Sequence, residues 1–209
     1  MATIFDKNLL PEFDSVKDSD ESIQWTGKPR FIPYLISGAL NSLYLLAFGA
    51  VWIVLNYNVI PSENSSFNYF WMFGLVPLGQ GVFTFLKILL SYTNTAYGYS
   101  NKRVMMRTGF IGTDFKVIDY DKISDIEVTV NIIERYYNVG TIRFFSGRTQ
   151  TDENNTAKLY DSWIAIENPY QIFKLVKQTS VDIKTDYNYP NALRPEKNPG
   201  YKTKYERID

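Results

Sequence analysis

A chain of 209 residues with no His and no Cys lacks the side chains that do most general acid–base and nucleophilic work near neutral pH, and it cannot build a thiolate or imidazole metal site or a disulfide. No phosphate-cradling Gly-Lys loop, nucleophile elbow or dinucleotide fingerprint occurs in the sequence. The oxygen-rich run Asp152-Glu153-Asn154-Asn155-Thr156 resembles the start of a calcium loop. It has Ala157 where such a loop needs Gly and Trp163 where it needs a bidentate Glu, so the pattern fails and the segment reads as a solvated loop. Asp119 and Asp121 flank a turn beside Lys122, where a structural role suffices. These residues predict no enzyme, no cofactor and no metal.

Basic groups near a lipid surface are the remaining chemistry. Lys102, Arg103 and Arg107 cluster at one turn and the strand after it, a few residues beyond an apolar stretch, and juxtamembrane cations contribute about 1 kcal/mol each toward anionic lipid. They are the candidate headgroup contacts, with a solvated turn that sets topology as the plainer reading. Formal net charge is zero, with 22 basic and 22 acidic residues, and the segment 94–180 holds eleven basic against ten acidic residues. That balance excludes the basic field of a nucleic-acid binder.

The elements that must position these groups begin with two uncharged stretches, Phe31 to Leu55 and Asn64 to Leu86. Each is about 35 Å long as a helix, enough to cross a hydrocarbon core of about 30 Å. Thirteen strongly apolar residues in the first outweigh the single Asn41. It starts some thirty residues in, after the acidic run Asp14, Asp18, Asp20 and Glu21, and reads as a retained anchor rather than a cleaved signal. Lys28 and Arg30 precede the first stretch, and Lys87, Lys102, Arg103 and Arg107 end or follow the second. The loop between them carries Glu63 and no Lys or Arg, which predicts a cell-membrane protein with both termini cytoplasmic. The loop also contains a glycosylation sequon at Asn64. Asn41 and Gln80 are the polar residues furthest inside the spans and are candidates for a hydrogen bond between the two helices. Gly38 with Ser42, and Gly74 with Gly79 and Gly81, would allow close helix approach.

After the second span the pattern becomes short alternating runs. Thr95–Tyr99 and Arg103–Thr108 read as a hairpin about Ser100-Asn101-Lys102. Further strands are predicted at 114–120, 126–131, around Ile142 and Phe144, and at 159–166, with 147–158 an enlarged polar loop. Together they predict a small antiparallel barrel or sandwich. Asn168 as N-cap, Pro169 at the first helical position and Gln171 three residues after the cap predict one closing helix to about residue 178. The Asn-, Pro- and Lys-rich remainder reads as a disordered tail. The expected division is a leader at 1–30, a two-helix transmembrane hairpin at 31–90, a β-domain with its closing helix at 91–180 and a tail at 181–209.

Several local motifs occur in order: Trp25-Thr26-Gly27-Lys28-Pro29, Ser100-Asn101-Lys102-Arg103, Gly109, Lys122-Ile123-Ser124-Asp125-Ile126, Gly140-Thr141-Ile142 and Ile166-Glu167-Asn168-Pro169. With the helical hairpin, this order over about 24–177 resembles the bacterial pleckstrin-homology family of membrane proteins, the YdbS-like group. Ser100 stands where that family usually has Thr. The resemblance implies an α+β PH-like domain after a membrane α-helical hairpin, acting as an interaction module tethered to the membrane. The expected partners are membrane lipids, a second copy of the chain, or a membrane protein to which this chain is an accessory subunit of a transporter or envelope-stress assembly.

Overall fold

A computed structural model of the chain describes residues 10–59, 69–152 and 155–188. The chain divides into two compact units. One comprises 31–94 with a short loop at 109–113, and the other comprises the strands, the closing helix and the residues ahead of the first apolar helix.

The helical unit contains α1 (Phe31–Val59) and α2 (Leu75–Asn94), the second preceded by a 3-10 turn over Phe70–Gly74. The two helices are antiparallel, and small residues set their spacing. A Cβ on Gly49 would lie 2.8 Å from the Gly74 carbonyl oxygen, and one on Gly81 would lie 2.8 Å from Leu46 Cγ. Gly38 faces Ile88, and Ser42 is fully buried with its hydroxyl returned to the Ala39 carbonyl at 2.7 Å. Toward the C-terminal half of α1 an aromatic ladder runs Tyr44, Phe48, Trp52, Phe70, Phe73 with centroid spacings of 5.3–6.4 Å. Helix α1 is longer than the sequence reading made it, and α2 starts later, at Leu75, and runs on to Asn94. The sequon at Asn64 lies outside the described residues.

Among the described residues the β unit has seven strands in two sheets. The first is ordered β1 (Ile23–Gly27), β2 (Ala96–Ser100), β3 (Arg103–Thr108), β4 (Asp114–Asp119), and the second β5 (Asp125–Thr129), β6 (Val139–Asp152), β7 (Asn155–Glu167), all antiparallel. Helix α3 (Ile132–Tyr136) joins β5 to β6, and α4 (Pro169–Asn188) follows β7. The first strand departs from the sequence reading. Residues 23–27 belong to the sheet, with Trp25 opposite Tyr99 and Gly27 opposite Tyr97. The helical hairpin is therefore an insertion in the connection between β1 and β2.

The core forms around Trp163, fully buried, with Phe144 at 4.9 Å, Trp25 at 5.4 Å and Tyr97 at 5.9 Å between ring centroids. Ile172 and Val176 of α4 close on it, as an amphipathic stripe at helical spacing must. The opposite face of β2 and β3 is covered as well. Phe13 packs there with Ala96 and Met105, so all five residues of β2 are buried.

Three further expectations change. Of the segment 147–158, residues 147–152 and 155–158 form extended arms of β6 and β7, in register from Thr149 opposite Lys158 to Asp152 opposite Asn155. The closing helix continues to Asn188, with Lys184 donating to the Ile123 carbonyl at 2.5 Å, so 181–188 is helix. Asn168 takes a left-handed φ of 51°, outside the extended geometry of an N-cap. The complete capping box lies at α3, where Asn131 Oδ1 accepts from the Glu134 N–H and Glu134 Oε2 accepts from the Asn131 N–H.

Candidate functional site

The cluster singled out by its charge is built on the β2–β3 turn. Ser100 Oγ accepts from the N–H groups of Lys102 and Arg103, both at 3.1 Å, which fixes the turn. The same hydroxyl donates to Glu21 Oε1 at 2.5 Å. Glu21 is 5% exposed and takes Arg103 as a forked partner, Nη2 to Oε2 at 2.6 Å and Nε to Oε1 at 3.0 Å, while the Asp18 N–H donates to Oε2 at 3.0 Å. Burial pushes the Glu21 carboxyl up, but the hydrogen bonds from Arg103, Ser100 and the Asp18 backbone outweigh it and hold the group at about 2.

The other two cations are engaged by the same leader. Lys102 Nζ lies 2.6 Å from Asp20 and 3.7 Å from Asp18, and its ammonium is held above the usual lysine range by the hydrogen bond to Asp20. Arg107 pairs with Glu12 at 2.5 Å. The turn is also stitched to the leader by Asn101, whose Oδ1 accepts from the Ser22 N–H and whose N–H donates to the Ser22 carbonyl. All three candidate headgroup residues are thus brought together, and each faces a carboxylate of residues 12–21. The acidic run and the basic turn are separately visible in the sequence. Their complementarity across the inserted hairpin was the signal to follow.

Asn41 and Gln80 are not brought together. Both are exposed, and the seam between the helices is made of small residues instead. Gly79 likewise has no neighbour within 4 Å of a Cβ, whereas Gly49, which the sequence reading passed over, is in the seam. At 3.6 residues per turn, Asn41 sits about 100° around α1 from Ser42, and Gln80 about 100° in the same sense around α2 from Gly81. Because the helices are antiparallel, both amides lie on one side of the hairpin. Leu43 and Val82 lie on the other.

A further feature of the β unit is an open groove of about 540 Å³ lined by Lys116 and Val117 of β4, by residues of the turn after it, and by Arg148 of β6 and Asp161 of β7; β4 and β5, consecutive in sequence, belong to different sheets and do not pair. Asp161 is gripped there by both Lys116 and Arg148, and Phe115 and Val117 of β4 remain exposed. Among the described residues no group of three or more acidic side chains is placed to hold a metal.

A family model described as the bacterial PH domain matches residues 36–169, from within α1 to the first residue of α4. No curated protein and no solved structure gives a significant match.

Proposed function

The chain belongs to the bacterial PH domain family, and on that premise we propose that it is a membrane-anchored interaction module of the YdbS-like kind, working by protein binding and self-association rather than by chemistry. PH-like domains are typically non-catalytic interaction modules. The observation that carries the anchoring is the bare surface of the hairpin. Only 17% and 11% of the most apolar windows of its two helices are buried within the chain, whereas a core helix of a soluble protein is covered by its neighbours. Apolar surface of that extent calls for a non-aqueous surrounding. The basic residues Lys28, Arg30 and Lys87 then favour termini on the cytoplasmic side.

The pairing of Lys102, Arg103 and Arg107 with carboxylates turns the binding reading away from anionic headgroups and toward protein. The unpaired edge of β4, with Phe115 and Val117 exposed, suits an extended segment added as a further strand. Within the bilayer, the exposed amides of Asn41 and Gln80 suit a second copy of the hairpin, since each amide both donates and accepts. The test is alkaline carbonate extraction of membranes, followed by native mass spectrometry of the protein purified in mild detergent. Retention in the membrane with a homo-oligomeric mass supports the reading. Release by carbonate overturns the anchoring, and a stoichiometric multi-span partner makes the chain an accessory subunit instead.

A further inference from the structure

The loop between β3 and β4 belongs to the helical unit rather than to the sheet it connects. Between Arg107 and Asp114 the sequence Thr108-Gly109-Phe110-Ile111-Gly112-Thr113 carries no charge. The loop is tightly built. Gly109 has φ +152°, and a Cβ there would lie 2.1 Å from the Gly112 carbonyl oxygen, so only glycine fits. The Asn94 side-chain amide, at the end of α2, reaches the carbonyls of Gly109 and Gly112, both at 3.4 Å.

What this folding presents is an apolar tip beside the span. Phe110 packs edge-on against Phe83 with ring centroids 6.0 Å apart. Phe83 lies eleven residues before the end of α2, about 16 Å along the helix, and one turn further from that end than Lys87. Ile111, next to Phe110, is 89% exposed. On the reading that the hairpin spans the membrane, Lys87 marks the level at which a long side chain reaches the headgroups, and Phe110 meets the helix on the hydrocarbon side of that level.

We infer that the Phe110–Ile111 tip is an interfacial wedge, seated among the acyl chains of the cytoplasmic leaflet beside α2. Its occupant is lipid, because the ring it rests on is itself at lipid depth and the tip offers no hydrogen-bonding side chain or charge to a polar partner. The wedge is a third point of membrane contact, made by the sheet connection rather than by a span.

Because the chain has no Cys, single cysteines can carry a fluorophore in the full-length protein. Ile111→Cys and Val82→Cys are labelled with an environment-sensitive dye and reconstituted in phosphatidylcholine–phosphatidylglycerol vesicles, with the free dye in buffer as the aqueous reference. The wedge predicts that the label at 111 loses emission to a lipid spin-labelled near the headgroup and is protected from aqueous iodide, while the free dye behaves in the opposite way. Iodide quenching at 111, or shielding from both quenchers as a covering protein would give, overturns the wedge if the label at 82 is still quenched by lipid. If 82 is not quenched by lipid either, the spanning reading fails and the wedge with it.

Discussion

Glu21 and Arg103 form a forked, largely buried ion pair between residues 82 positions apart, with the entire helical hairpin between them in the chain. The pair fastens the acidic leader to the first turn after α2. It makes residues 12–21 part of the domain's structure rather than a loose extension.

Removing one partner of this pair leaves the other buried and unmatched. Arg103→Gln should lower the unfolding free energy by about 3–5 kcal/mol. Lys102→Gln, whose partners Asp18 and Asp20 are more than half exposed, should cost about 0–1 kcal/mol. Chemical denaturation of the two variants, side by side, checks the contrast.

The same carboxyl sets a pH dependence. Its folded value of about 2 lies below the ordinary 4.5, so its contribution is fully present above pH 4.5 and is lost as pH falls from there toward 2. The loss is about 3 kcal/mol. In Glu21→Gln that step should vanish from the pH–stability profile, leaving a less stable but flatter curve.

Packing of the hairpin should depend on which glycine is altered. At Gly49 an added Cβ meets backbone atoms of Gly74 and Leu78 at 2.8 and 2.9 Å, which can yield only if the helices part. Gly49→Ala should destabilise by about 1–3 kcal/mol, and Gly79→Ala, with open space, should not. Thermal melts in one detergent decide this.

Asn41→Leu combined with Gln80→Leu should leave the hairpin folded, because neither side chain is in its seam, and should weaken self-association. Each amide contact in a membrane contributes about 0.6–2 kcal/mol. Cross-linking yield in native membranes is the measurement, with Leu43→Ala and Val82→Ala, on the opposite side, as variants expected to change nothing.

Strand β1 implies a particular soluble form of the domain. Replacing Phe31–Asn94 with a short Gly-Ser-Gly link keeps β1 beside β2 and should give a cooperatively folding protein. A chain starting at Thr95 loses β1, Phe13 and Glu21 together and should aggregate. Size-exclusion chromatography separates the two outcomes.

The parts legible in the sequence were those whose pattern is local. Alternation at Ile126 and Val128, and at Ile142 and Phe144, marked strands correctly, and the turn at Asn101-Lys102 closed the hairpin it was expected to close. Strand β1 escaped because five residues ending in Gly27-Lys28-Pro29 carry little periodic signal and their partner lies beyond the hairpin. The end of α4 escaped because the Asp182, Lys184 and Thr185 turns look solvated by composition, yet Asp182 is buried and bonded to Gln178 and Lys184 reaches the Ile123 carbonyl ahead of β5. At the candidate site the cations were legible and their partners were not, since nothing local in Lys102-Arg103 says which carboxylates will face it. Asn41 and Gln80 were chosen by their position along the helices, but position along a helix does not fix its side, and glycine took the seam.

The insertion of the hairpin also imposes an order on synthesis. The ribosome delivers β1 first and its partner β2 only after roughly 70 further residues, a delay of about 4–14 s at ordinary elongation rates of about 5–20 residues per second. During that interval Trp25 has no Tyr99 to stack on and Glu21 has no Arg103. The nascent domain is held open until α2 has been made, so a chain that stalls in the helices cannot complete its first sheet.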